Sequence, residues 1–173
     1  RTGSLLIAGM PALALKLLPD VIAEFIADEP GIAVSLRIRS SQAVLRHLSS
    51  QQFDLGFAAL DNDHPAVLRR ELFKAPMLAV LPLSHELGRK TMLLPGDFDQ
   101  RPFIALGAEI GTRSETDAFL LADGARPRIV AEAQLSASIC ELVAAGAGIS
   151  IVEPVTATHF GNLGKILVRP LSP

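Results

Sequence analysis

The sequence predicts an α/β protein of two lobes, and three observations carry that prediction. Short apolar runs alternate with helix-period segments from the first residues on. The third run closes a strand-helix-strand-helix-strand unit by residue 60, and the alternation then restarts after residue 68. The chain can also bury a sizeable core, since 49% of its 173 residues are hydrophobic and 20% are charged.

The elements follow in order. Residues 4–8 (SLLIA) form a short apolar run ended by Gly9, which reads as a strand. After Met10-Pro11, the residues Leu13, Leu17, Leu18, Val21, Ile22, Phe25 and Ile26 recur at helical spacing, which predicts one amphipathic helix over 13–27. Asp28-Glu29-Pro30-Gly31 breaks it. Residues 32–39 (IAVSLRIR) alternate with period two, and Ser40-Ser41 caps a second helix carrying Ala43, Val44, Leu45 and Leu48. Residues 53–60 (FDLGFAAL) supply a third buried strand, so the sheet is expected to be parallel with right-handed crossovers.

A polar stretch at 61–65 (DNDHP) separates the halves. Residues 68–82 read as extended, with 77–81 the buried part, and Pro95-Gly96-Asp97-Phe98 as a short helical turn. Strands are expected at 103–106, 128–131, 149–152 and 165–169, and helices at 112–122 and 136–145, the latter ending at Gly146.

Several functions are disfavoured. A net charge of -2 with pI near 6.1 gives no electrostatic footprint for nucleic acid or an anionic membrane. The single cysteine, Cys140, permits no internal disulfide, lies on an apolar helix face and suits a reducing, cytoplasmic setting. No apolar run reaches bilayer length. No P-loop, G-x-S-x-G elbow, H-E-x-x-H pair or G-x-G-x-x-G fingerprint occurs, and His47, His64, His85 and His159 are scattered, so neither metal nor cofactor is expected. The chain begins without Met and stops on Pro170-Leu171-Ser172-Pro173, which is expected of a piece of a longer protein.

In parallel α/β sheets ligands bind beyond the carboxyl ends of the strands, where helix N-termini offer backbone N–H groups. The corners there are Met10-Pro11-Ala12, Ser40-Ser41-Gln42, and residues 107–113. Ser41 either donates to a bound anion or caps its helix. Arg113, a cation beside Thr112 at a helix start, is either a carboxylate clamp or a solvated surface arginine. Glu153 closes an apolar strand before Pro154, and either pairs with a cation on a ligand or forms an internal salt bridge.

Taken together, Gly3-Ser4-Leu5-Leu6-Ile7, Leu18-Pro19, Phe25 and Pro30, Asp54-Leu55-Gly56-Phe57, Leu81-Pro82-Leu83-Ser84-His85-Glu86-Leu87, Pro102-Phe103-Ile104 and the run from Leu142 to Val152 occur in a familiar order. The whole chain resembles the effector-binding domain of LysR-type transcriptional regulators. Val152-Glu153-Pro154-Val155-Thr156-Ala157 and Val168-Arg169-Pro170-Leu171 look most like the regulators of opine and amino-acid catabolism.

The resemblance implies a type 2 periplasmic-binding-protein-like fold with a ligand cleft at the hinge. Lobe I would hold 1–74 and 154–173, and lobe II 75–153, joined by crossing strands near 72–80 and 149–154. It implies an N-terminal winged helix-turn-helix domain that this chain lacks, so promoter DNA would be bound by that domain. It also implies a homodimer or homotetramer in which the 13–27 helix packs near the 136–145 helix of a neighbour.

Effector contacts carried over from the family would be Met10, Pro11, Ala12, Ser40, Ser41, Gln42, Phe103, Leu106, Thr112, Arg113, Glu153 and Pro154. Many members have Ser or Thr where this chain has Met10-Pro11-Ala12. The expected effector is an amino acid, opine or related carboxylate, its carboxylate on the Ser41 and Arg113 side and its amine near Glu153. Two competing readings share the scaffold. A solute-binding protein of a transport system would carry an export signal, and a small dehydratase would need a catalytic acid, for which Glu153 is the candidate. The chain is expected not to be an enzyme, because fold alone licenses no chemistry.

Overall fold

The computed structural model describes residues 2–60 and 63–173, which leaves Asp61 and Asn62 of the polar 61–65 stretch outside the described residues. The chain divides into two compact units, Arg1–Lys74 and Ala75–Pro173.

In the first unit, strands β1 (Gly3–Gly9), β2 (Ile32–Ile38) and β3 (Leu55–Phe57) form a parallel sheet in the order β2-β1-β3, as the alternating pattern predicts. The crossovers contain helices α1 (Pro11–Ala14), α2 (Leu17–Asp28) and α3 (Ser41–Ser49). The helix expected over 13–27 is thus interrupted. Pro19 has no N–H to give Leu15 and its ring would crowd that carbonyl, so the helix restarts at Leu17 and Pro19 falls in the first turn, where no donor is needed. The third strand is shorter than the expected 53–60. Ile7, Ala8, Ala12, Ala14, Leu18, Ala43 and Val44 are the buried apolar residues here. Gly9 and Gly56 let helices lie close to the sheet, since a Cβ would stand 2.5 Å from Leu18 Cδ1 and 2.4 Å from Leu48 Cδ1.

The second unit holds strands β4 (Leu78–Leu81), β5 (Pro102–Leu106), β6 (Arg128–Ala133), β7 (Ser150–Val152) and β8 (Leu167–Pro170), with helices α4 (Thr112–Ala122), α5 (Ser136–Ala144) and α6 (Pro154–Asn162). Short 3-10 turns lie at Glu86–Arg89 and, as expected, at Pro95–Phe98. Strands β7, β4 and β8 form an antiparallel sheet with β4 in the middle, whereas β5 and β6 pair in parallel. The Ile104 N–H donates to the Ile149 carbonyl at 2.9 Å and the Ile149 N–H to the Pro102 carbonyl at 3.0 Å, which stitches β5 to the chain entering β7. α5 ends as predicted, on Gly146 at φ +84°.

Two features differ from the sequence expectation. Helix α6 stands where only the departure of the chain from the sheet was expected, and residues 154–173 pack within the second unit. Their apolar side chains account for both. Ala157, Phe160 and Ile166 belong to the buried cluster around Val80, Leu81, Ile139 and Ile151, and β8 takes one edge of β4 through four residue pairs. The strands near 72–80 and 149–154, expected to cross between lobes, appear as the antiparallel pair β4–β7 inside this unit.

Backbone approaches closely at Gly148, where a Cβ would lie 2.7 Å from the Pro102 carbonyl oxygen. That neighbour is backbone at the start of β5 and cannot rotate away. Gly148→Ala is therefore expected to destabilise the chain by about 1–3 kcal/mol, the usual cost of overpacking, measured as a shifted midpoint in urea unfolding.

Candidate functional site

The carboxyl ends of β1, β2 and β3 come together because parallel strands joined through helices place every strand-to-helix corner at the same end of the sheet. The Met10 N–H donates to the Phe57 carbonyl at 2.9 Å, and the Arg39 N–H to the Gly9 carbonyl at 3.0 Å. Ser40 is the N-cap of α3, its Oγ accepting from the Ala43 N–H at 3.3 Å. Ser41 does not cap. It is the first helical residue, and its Oγ accepts the Ala59 N–H at 3.1 Å while donating to Met10 Sδ at 3.7 Å. The structure thus brings Met10, Ser40 and Ser41 to one corner, with Gln42 exposed beside them, Pro11 half-buried at the start of α1 and Ala12 turned into the core.

The corresponding corner of the second unit lies between β5 and α4. Phe103 and Leu106 point inward: both are buried, and Phe103 packs edge-on against Phe98 with ring centroids 6.1 Å apart. Thr112 and Arg113 open α4, whose N-cap is Gly111, without a side-chain cap bond. Arg113 is not a solvated surface charge, its side chain being only 19% exposed. Its Nε lies 3.0 Å from both oxygens of Asp117, and Nη1 donates to the Leu106 carbonyl at 2.6 Å and to Glu132 Oε2 at 3.3 Å. The bond to Asp117 raises its pKa further, against a desolvation cost. Asp117 and Glu132 therefore supply the anion that a cation at a helix start demands, and the guanidinium fastens α4 to the end of β5.

Glu153 is the N-cap of α6, with Pro154 in the first turn, and its Oε2 accepts the Thr156 N–H at 3.0 Å. Of the two contacts expected for it at the close of the strand, the internal salt bridge does not occur among the described residues. Oε1 is shut away from solvent without a hydrogen-bond partner. Burial, its largest influence, raises the Glu153 pKa, and the hydroxyls of Thr156 and Ser136 with the N–H groups of Thr156 and Val155 offset part of that.

The sequence reading missed Ala59, Asp117, Glu132, Ser136 and Thr156. Asp117 was accessible from sequence as the i+4 partner of Arg113. The others are brought in by tertiary pairing. Among the described residues no group of three or more His, Cys, Asp or Glu is placed to hold a metal ion, and no helix is long and apolar enough to cross a membrane.

The family model described as the LysR substrate binding domain matches residues 1–173. The chain is 31% identical over 169 residues to the transcriptional activator protein LysR of Escherichia coli (strain K12), covering 98% of this chain and 54% of that protein. It is 32% identical over 178 residues to the octopine catabolism/uptake operon regulatory protein OccR of Rhizobium meliloti, covering 98% and 55%. The chain thus spans about half the length of the curated relatives it matches. Among solved structures, the cofactor-binding domain of the Cbl transcriptional regulator superposes with a TM-score of 0.81 at 28% identity, covering 96% of this chain and 73% of that one. The α/β fold is accordingly the type 2 periplasmic-binding-protein-like fold, and the chain belongs to the LysR substrate-binding domain family.

Proposed function

We propose that the chain is the ligand-sensing domain of a LysR-type transcriptional regulator and that its effector is a small metabolite bearing a carboxylate, an amino acid, opine or related acid. The observation that carries this reading is the Ser41 hydroxyl. Its proton is directed at Met10 Sδ, 3.7 Å away, and a thioether is a weak acceptor that a carboxylate oxygen readily outcompetes. The first N–H groups of α3, those of Ser41 and Gln42, have no acceptor within the helix, and the positive end of the helix dipole reinforces them. Family membership and the octopine-operon relative support a carboxylated metabolite over transport cargo.

Arg113 is assigned a structural part, since Asp117, Glu132 and the Leu106 carbonyl already engage it. Effector carboxylate recognition then falls to neutral donors at Ser41 and Gln42. In the intact regulator, an effector that binds one conformation more tightly than another would shift the disposition of N-terminal DNA-binding domains, because equal affinity for both shifts nothing. Assembly as a cytoplasmic homodimer or homotetramer belongs to the same reading. It is supported by the apolar side chains that α2 turns outward, Val21 at 51% exposure and Ile26 at 42%.

A thermal-shift screen of the chain against amino acids, opines and small carboxylates identifies the effector: a ligand at about 100 times its Kd adds about 2.7 kcal/mol. Ser41→Ala is then expected to weaken the hit about tenfold in calorimetric titration, the loss of one hydrogen bond to a charged group, while leaving unfolding nearly unchanged. Ser40→Ala should behave oppositely, costing about 1 kcal/mol of stability as a lost cap. An effector whose affinity ignores Ser41→Ala overturns the site. Val21→Glu with Ile26→Glu is expected to lower the assembly state in sedimentation analysis.

A further inference from the structure

The run Leu81-Pro82-Leu83-Ser84-His85-Glu86-Leu87 has no part in the proposed effector corner, yet it leads into a strap that lies beside β8. Residues 85–94 form the strap. Arg169 of β8 donates from Nε to the Lys90 carbonyl at 2.8 Å and from Nη2 to the Gly88 carbonyl at 2.7 Å, and the Leu93 N–H donates to the Pro170 carbonyl at 2.9 Å. The approach is close, since a Cβ on Gly88 would stand 2.5 Å from Leu167 Cδ1. Leu87 and Leu93 are the buried anchors of the strap.

One imidazole fastens its start. His85 Nδ1 accepts the Leu87 N–H at 3.2 Å and so caps the Glu86–Arg89 turn, while the Gly88 N–H donates to the His85 carbonyl at 2.9 Å. A ring nitrogen that accepts a hydrogen bond carries no proton, so the cap requires a neutral imidazole with its proton on Nε2. Protonation at Nδ1 sets one donor against another. Two charged side chains act on the ring: Arg101, from the residue before β5, and Glu86, its neighbour in the turn, which are joined to each other by an ion pair. Burial first, and then the Arg101 charge, hold the His85 pKa below its ordinary 6.5, with Glu86 opposing them.

We propose that His85 is a pH-sensitive clasp, a positioning residue that when neutral caps the 86–89 turn and holds the start of the strap beside β8. When Nδ1 takes a proton from solvent, the Leu87 N–H loses its acceptor and residues 85–90 loosen, while Leu93 stays anchored. The direction of the linkage follows. The folded chain binds this proton less readily than the unfolded one, so the contribution of the clasp is complete above 6.5 and is lost as pH falls from there through the folded-state value.

The test follows the 173-residue chain by NMR without added ligand, beside His85→Asn, in which an amide oxygen can cap but cannot titrate. Between about pH 8 and about pH 5 the wild type should show the Nε2–H tautomer at the upper end, a His85 midpoint below 6.5, and a Leu87 amide resonance that moves with that midpoint. Hydrogen exchange should then report an opening constant at Leu87 that rises about tenfold for each pH unit between the ordinary and the folded-state pKa in the wild type, and stays level in the variant. Arg101→Gln should raise the His85 midpoint, because it removes a charge that opposes the proton. A Leu87 amide indifferent to the imidazole titration, an Nδ1–H tautomer at the upper end, a midpoint at or above 6.5, or an equal response in His85→Asn overturns the proposal. Because no effector is present, the result stands or falls apart from the assignment of Ser41.

Discussion

The constraint on which the candidate site depends is the parallel pairing of the three strands in the first unit. Three parallel strands in the order β2-β1-β3 can be joined through helices only if each helix starts at the same end of the sheet. That requirement, rather than any single motif, gathers Met10, Ser41 and the backbone around Phe57 and Ala59, which lie far apart in sequence. The contacts are short because Gly9 and Gly56 remove the Cβ atoms that would hold α2 and α3 away from the strands. The proposed effector corner therefore follows from packing: the same small residues that seat the helices close to the sheet also hold the start of α3 at its end.

The second unit solves a different problem. Its middle strand β4 is antiparallel to both β7 and β8, its core is continuous from Met77 to Ile166, and its helix starts carry their own solutions to unsatisfied donors. Arg113 and Glu153, conspicuous as charges beside strand ends, take part in those solutions. Arg113 bonds the last carbonyl of β5 and is balanced by one carboxylate from its own helix and another from β6. Glu153 takes the third N–H of α6. Charge at a strand end thus has a structural use as natural as a binding one, because a helix start or a strand end always leaves backbone groups to satisfy.

Much of this was legible in sequence. The period-two run at 32–39 and the helical spacing at 112–122 gave β2 and α4, since one buried face is enough to fix period and type. Gly146 marked the end of α5 because its φ suits glycine. Helix α6 was not read, although Glu-Pro at its start is an N-cap and first-turn signature, because the Val-Thr-Ala-Thr-His run that follows favours helix weakly. The break between α1 and α2 was written in Pro19 but masked by an apolar pattern that continues through it. Ser40 and Ser41 illustrate the limit: composition alone cannot choose which of two adjacent serines caps, since the choice rests on where the backbone turns from extended to helical, φ -60° and ψ 154° at Ser40.

These assignments bear on how such a domain would tell one acid from another. A guanidinium attracts any carboxylate over a distance and desolvates at considerable cost, so it supplies affinity with little discrimination. On the proposed reading Arg113, engaged by Asp117 and Glu132, would not supply that attraction. A hydroxyl held between the Ala59 N–H and Met10 Sδ, beside the first N–H groups of α3, attracts weakly at range but demands placement, since hydrogen-bond strength falls steeply with angle. Under the proposed reading Met10 would sharpen the demand: its flexible thioether would move aside for a carboxylate oxygen and return when the oxygen leaves, so the hydroxyl would keep an acceptor throughout. A sensor needs that reversibility more than it needs tight binding, because its output depends on the difference between occupied and unoccupied states rather than on affinity alone.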